Sequence, residues 1–159
     1  MAALNSKFDV LRGWAPGDDA CIDQSFPPEA PGGVTTAFEA GDLVTLNSSG
    51  EAMAATSPAD VTLGTADPLQ VYIVLEGNAI DFSGQFVNKI VCLRGKLTVQ
   101  IDSTKLGAGA FAVNDAVSYN SGQFIVKPGS GLGSTTQRIG TVIANNTSTN
   151  GTVILEIDL

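Results

Sequence analysis

The sequence predicts an all-β protein, a single small β-barrel or sandwich with an internal two-fold sequence repeat and an extended N-terminal arm. Three observations lead there. The first is self-similarity: Phe38-Glu39-Ala40-Gly41-Asp42-Leu43-Val44-Thr45-Leu46-Asn47-Ser48-Ser49-Gly50 is echoed, at an offset of 73, by Phe111-Ala112-Val113-Asn114-Asp115-Ala116-Val117-Ser118-Tyr119-Asn120-Ser121-Gly122. An echo of this length points to two similar halves closing into one body. The second is composition. Of 159 residues, 43% are hydrophobic, 15% are charged and 18 are Gly. That is too apolar for a disordered chain, and it suits short strands and tight turns better than long helices. The third is a series of short alternating apolar segments punctuated by Gly, Asn and Asp.

Residues 1–33 are set apart by Gly13, Pro16, Gly17, Pro27, Pro28, Pro31, Gly32 and Gly33. Proline fixes φ and removes a donor, so Pro27-Pro28-Glu29-Ala30-Pro31 reads as extended and unpaired. Apolar residues are nevertheless spread through this arm. Phe8, Leu11, Trp14, Ile22 and Phe26 are its candidate anchors, docked either on its own domain or on a neighbouring subunit.

Residues 34–159 form the predicted barrel domain. Val34–Phe38 and Asp42–Leu46 read as strands, and Asn47–Gly50 turns the chain into a weak strand at Glu51–Thr56. Val61–Thr65 and the buried Val71–Leu75 follow, then a turn at Glu76-Gly77-Asn78 and a short apolar run at Ala79–Phe82. Phe86–Leu93 and Lys96–Ile101 read as a hairpin around Arg94-Gly95, since Gly supplies positive φ. A short helical turn fits Ser103–Gly109. Ala116–Tyr119 and Gln123–Val126 form the next hairpin, Lys127–Ser134 a loop, Arg138–Ala144 a strand, and Thr152–Ile157 closes the domain after Asn150-Gly151. The downstream echo pairs Leu63-Gly64-Thr65 with Ile139-Gly140-Thr141, and Ile73–Glu76 with Val153–Glu156. Nine or ten short strands at near-regular spacing call for closure or stacking to bury their apolar faces.

The chemistry available is narrow. The chain has no His, which removes Ser-His-Asp and Cys-His catalysis and His-based metal sites. Asp42 and Asp115 occupy equivalent places in the echo, with no companion base or nucleophile, and read as caps of the turns before their strands. Gly129–Thr135 lacks the Lys and the following helix of a phosphate loop. Cys21 and Cys92 have no metal or disulfide spacing, and Cys92 lies in the apolar run Ile90–Leu93. No enzyme activity, catalytic residue, cofactor or metal is expected. The net charge is −8, of which residues 1–60 carry −7. With no basic stripe, nucleic acid is not an expected partner. No apolar run approaches the ~18 residues of a membrane span, so no membrane is expected and the protein reads as soluble and made in a cytoplasm.

The turn and strand motifs carry a resemblance. Asn114-Asp115-Ala116-Val117, Gly122, Ile139-Gly140-Thr141-Val142, Gly151 and Val153-Ile154-Leu155 resemble the recurring theme of head decoration (cement) proteins of tailed bacteriophages. Gly41-Asp42-Leu43-Val44, Gly50 and Leu63-Gly64-Thr65 give a second version. The resemblance covers about two-thirds of the chain; it does not account for the Pro-rich arm. It implies a small β-barrel on the outside of a capsid, bound to the major capsid protein, self-associated as a trimer rather than a dimer, and stabilising the shell. The alternative is a tail-associated or surface-recognition module for a glycan or protein receptor. The low aromatic content, 6% with Trp14 as the only Trp, weighs against a sugar site.

Overall fold

A computed structural model describes residues 8–12, 21–55, 71–78, 89–120, 122–126 and 139–159. The fold is mostly β: among the described residues an antiparallel sheet of ten strands curls into a half-barrel. In chain order the strands are β1 (Phe8–Arg12), β2 (Cys21–Phe26), β3 (Leu43–Leu46), β4 (Ala52–Ala54), β5 (Tyr72–Glu76), β6 (Ile90–Asp102), β7 (Ala116–Asn120), β8 (Gln123–Val126), β9 (Gly140–Asn146) and β10 (Thr152–Asp158). Their order is β4-β3-β5-β6-β10-β9-β7-β8, with β1 and β2 also paired to β6. The expected strand at Val61–Thr65, the run at Ala79–Phe82 and the loop at Lys127–Ser134 lie outside the described residues.

Three expectations are corrected. Arg94-Gly95 does not turn the chain: β6 runs unbroken for 13 residues, with Gly95 at φ 128 inside it. Ladder partners on both sides of the Gly hold the strand straight through. Val34–Phe38 is not a strand, because its backbone is engaged by the buried Asn78 side chain instead. Asn78 Oδ1 accepts from the Phe38 N–H at 2.8 Å, and Asn78 Nδ2 donates to the Thr36 carbonyl at 3.0 Å. Third, the described part of the leader is sheet rather than an extended arm. β1 pairs with Thr98–Ile101 and β2 with Ile90–Gly95, so both lie along β6 of the same chain. The prolines then do what unpaired edges allow. Pro27 C=O accepts from the Ala52 N–H, the Glu29 N–H donates to Ala52 C=O, and Pro28 bridges Ala52 on the edge of β4.

The two ends of the strand order have matching registers. β3 faces β4 as Val44↔Ala54, Thr45↔Met53 and Leu46↔Ala52; β7 faces β8 as Val117↔Val126, Ser118↔Ile125 and Tyr119↔Phe124. β3 meets β5 through Leu43↔Ile73 and Val44↔Tyr72, as β7 meets β9 through Ala116↔Thr141 and Val117↔Gly140. β5 is bulged against β6 at Leu75 and β9 against β10 at Ile143. Pro28 bridges Ala52 in parallel, and Leu106 bridges Phe124 in parallel. β5 and β9 thus hold similar places beside β3 and β7, whereas the sequence match sets Ile73–Glu76, in β5, against Val153–Glu156, in β10. β6 belongs to both ends, its first part pairing with β5 and its second with β10.

Two apolar clusters form the core. The smaller gathers Phe38, Val44, Tyr72, Val74, Ile90 and Cys92, with Phe26 and Leu46 packed against it. The larger joins Leu43, Ile73 and Leu93 to Leu97, Val117, Tyr119, Phe124, Val142, Leu155 and Ile157, among others, and so ties the two ends of the order together. Burying each such side chain contributes on the order of 1.5–3 kcal/mol.

Candidate functional site

Phe26 is half-buried and meets the Tyr72 ring edge-on at 4.8 Å, so it serves this chain's own core. Leu11 is exposed on β1. Phe8 and Ile22 are placed by their backbones, in β1 and β2. Trp14 lies outside the described residues. Of the five anchors expected from the sequence, Leu11 and Phe26 have described side chains, the first exposed and the second half-buried.

What it does build, twice, is an Asp turn. Gly41 has φ 90 and Asn114 has φ 74, left-handed values that Gly and Asn tolerate best. Each is followed by an Asp whose Oδ2 accepts from the backbone N–H three residues back: Glu39 at 2.8 Å for Asp42, Ala112 at 2.9 Å for Asp115. Each turn then clamps the bulged strand. Gly41 N–H donates to Val74 C=O and Val74 N–H to Asp42 C=O; Asn114 N–H donates to Val142 C=O and Val142 N–H to Asp115 C=O. The Asp residues thus take the capping role read from the sequence.

The two turns differ in what covers them. Lys105, in a 3-10 turn (Ser103–Lys105) after β6, reaches over the first. Its Nζ lies 2.5 Å from Asp42 Oδ1 and 3.3 Å from Glu39 Oε2, with only 11% of its side chain exposed. Sequence reasoning missed this partner, which is 63 residues away with no motif to mark it. Beside it the Leu43 N–H donates to the Tyr119 hydroxyl at 3.3 Å, a contact from β7 to β3. Burial pushes the Tyr119 hydroxyl up to about 12; the Leu43 N–H opposes this and the Asp42 charge adds to it.

The second turn has no such lid among the described residues. Val113 on that turn and Ile143 on the β9 bulge are exposed, whereas their counterparts Ala40 and Leu75 pack against the larger core cluster. No group of three or more His, Cys, Asp or Glu able to hold a metal occurs among the described residues. No helix among them is long and apolar enough to cross a membrane. Comparison with protein families, curated proteins and solved structures finds no match to this chain. The site is therefore read from its own geometry: two clamped turns, one covered by Lys105 and one with no such cover among the described residues.

Proposed function

We propose that this chain is a structural virion protein that binds the outside of a tailed-bacteriophage capsid and stabilises the shell. The observation that carries the reading is the Asp-turn theme of Gly41-Asp42-Leu43-Val44 and Asn114-Asp115-Ala116-Val117, set in each case before a strand, a Gly turn and a bulged partner strand. The same registers support a finer reading of the architecture. Residues 21–95 and 96–159 are two copies of one unit, each running from a first strand through a bridge, a hairpin and a bulged strand to a closing strand. The partner is the major capsid protein, and the chain acts as a homotrimer on the virion exterior. Phe8, Leu11, Trp14 and Ile22 are the leader residues proposed to meet the shell; Phe26 is given to the chain's own core. Many weak contacts repeated over a shell add up through multivalency.

The test is cosedimentation. Full-length protein is mixed with shells assembled from the major capsid protein encoded in the same genome. Binding at micromolar concentration, with a raised temperature of shell disruption, is the expected result. Protein that stays in the supernatant at every concentration overturns the proposal. Leu11→Glu is expected to weaken binding about tenfold, the effect of about 1.4 kcal/mol.

A further inference from the structure

We infer that this chain seals itself with an isopeptide bond between Lys105 Nζ and Asp42 Cγ, formed with the help of Glu39. The bond follows from side-chain geometry and needs nothing from the capsid reading. A nucleophile, a carboxyl carbon and a base meet at the first Asp turn. Lys105 Nζ lies 2.5 Å from Asp42 Oδ1 and 3.3 Å from Glu39 Oε2. The nitrogen is therefore no more than one C–O bond further from Cγ than from the oxygen it touches. The other oxygen, Asp42 Oδ2, accepts the Glu39 backbone N–H at 2.8 Å. Glu39 thus serves both partners. Its main chain holds the oxygen on which negative charge would grow, and its carboxylate stands beside the attacking nitrogen. The side chains of Lys105 and Asp42 are only 11% and 21% exposed, so little water reaches the carbon, whereas Glu39, at 47%, exchanges protons with solvent.

The second Asp turn separates this chemistry from capping. Asp115 holds the same place, accepts the Ala112 N–H at 2.9 Å and clamps β9 as Asp42 clamps β5. It does so with Ala112 where Glu39 stands, and with no lysine over it among the described residues. A capped turn therefore requires neither group. The first turn has added a nucleophile and a base, and has withdrawn the lysine from water, which is costly for a charge. The step balances without a co-reactant. One Nζ proton of the ion pair passes through Glu39 to Oδ1, leaving a neutral amine and a carboxylic acid; burial favours this transfer because it removes two charges. The Nζ lone pair attacks Cγ, and the charge arriving on Oδ2 meets the Glu39 N–H. Glu39 then takes a second proton from Nζ and delivers it to Oδ1, which leaves as water while the C–N bond stays. Free amines and acids do not condense appreciably in water, but two groups held in contact reach effective molarities on the order of 10⁵–10⁸ M, far above that of water itself. The product ties the turn before β3 to the turn after β6, across 63 positions, in a loop that no reductant opens. Until it forms, Lys105 contributes as the buried cation of a salt bridge.

Mass spectrometry of the full chain under denaturing conditions tests this. The wild type, held folded until its mass no longer changes, is expected to be one water lighter than its sequence requires. Trypsin should then yield residues 13–89 joined to residues 97–138, uncut at Lys105, because Lys127 precedes Pro128 and is passed over. Lys105→Arg keeps the charge but gives no such bond, and is expected at full mass. Glu39→Ala installs the residue that the second turn already uses. It should fold with an unchanged circular dichroism spectrum and form the bond about 10²–10⁴-fold more slowly. A wild type that keeps its full mass has only an ordinary salt bridge and overturns the inference. So does a water loss that survives Lys105→Arg, a loss mapped to another peptide, or Glu39→Ala bonding at the wild-type rate.

Discussion

Lys105 shows how one residue can decide which half of the molecule is closed. Its ammonium is nearly withdrawn from water, so removing either partner leaves a poorly solvated charge. Lys105→Met is expected to cost about 2–3 kcal/mol in urea denaturation, between the values for exposed and fully buried pairs. Asp115→Asn, which disturbs only a turn cap, should cost about 1 kcal/mol. Tyr119 gives a pH signature. Its hydroxyl is neutral in the folded protein up to about 12, against an ordinary value of 10.0. The folded value is raised, so the contribution is intact below pH 10 and is lost as pH rises from about 10 to 12, where the unfolded chain ionises first. Melting temperature should therefore fall across that window, and Tyr119→Phe should flatten the fall. At the residue scale the sequence was legible where the partner is local. An Asp after Gly or Asn and before an apolar strand reads as a cap. A lone Lys whose carboxylates come from a distant turn carries no local mark.

Among the elements, β6 is where local reading fails most clearly. A Gly flanked by two alternating segments has the form of a hairpin, yet the decision rests on long-range partners. β2 and β5 hold the residues before Gly95, and β1 and β10 hold those after it. Likewise Pro27 and Pro28 argued for an arm free of pairing, and they sit instead at a sheet edge, where a missing N–H costs least. The hairpins β3–β4 and β7–β8 were legible because turn chemistry is local; in the first, Asn47 Oδ1 accepts from both Ser49 and Glu51 N–H. Glycines test the sheet contacts. A Cβ on Gly140 would fall 2.2 Å from the Glu156 carbonyl oxygen, so Gly140→Ala must pry β9 from β10 and should cost roughly 3 kcal/mol by thermal or chemical melts. Gly50 has open space but φ +77, and Gly50→Ala should cost only about 1 kcal/mol.

For the whole molecule, the mostly β class was legible from periodicity and composition, while the pairing of distant strands was not. The leader's position also changes what truncation should do. Removing residues 1–33 takes β2 from β6 and Phe26 from Tyr72, so the product should melt well below the full chain rather than survive as an intact barrel. Scanning calorimetry of the truncated and full chains measures the difference. β6 carries a last consequence. Two barrels joined by a loop could swing on it, and a tug on one would reach the other only as slack was taken up. Here β6 is itself a rung of the one sheet, paired along both its parts, so strain entering either end is shared by the covalent backbone and the ladders together. A pull on either end of the molecule would meet a stiff tie.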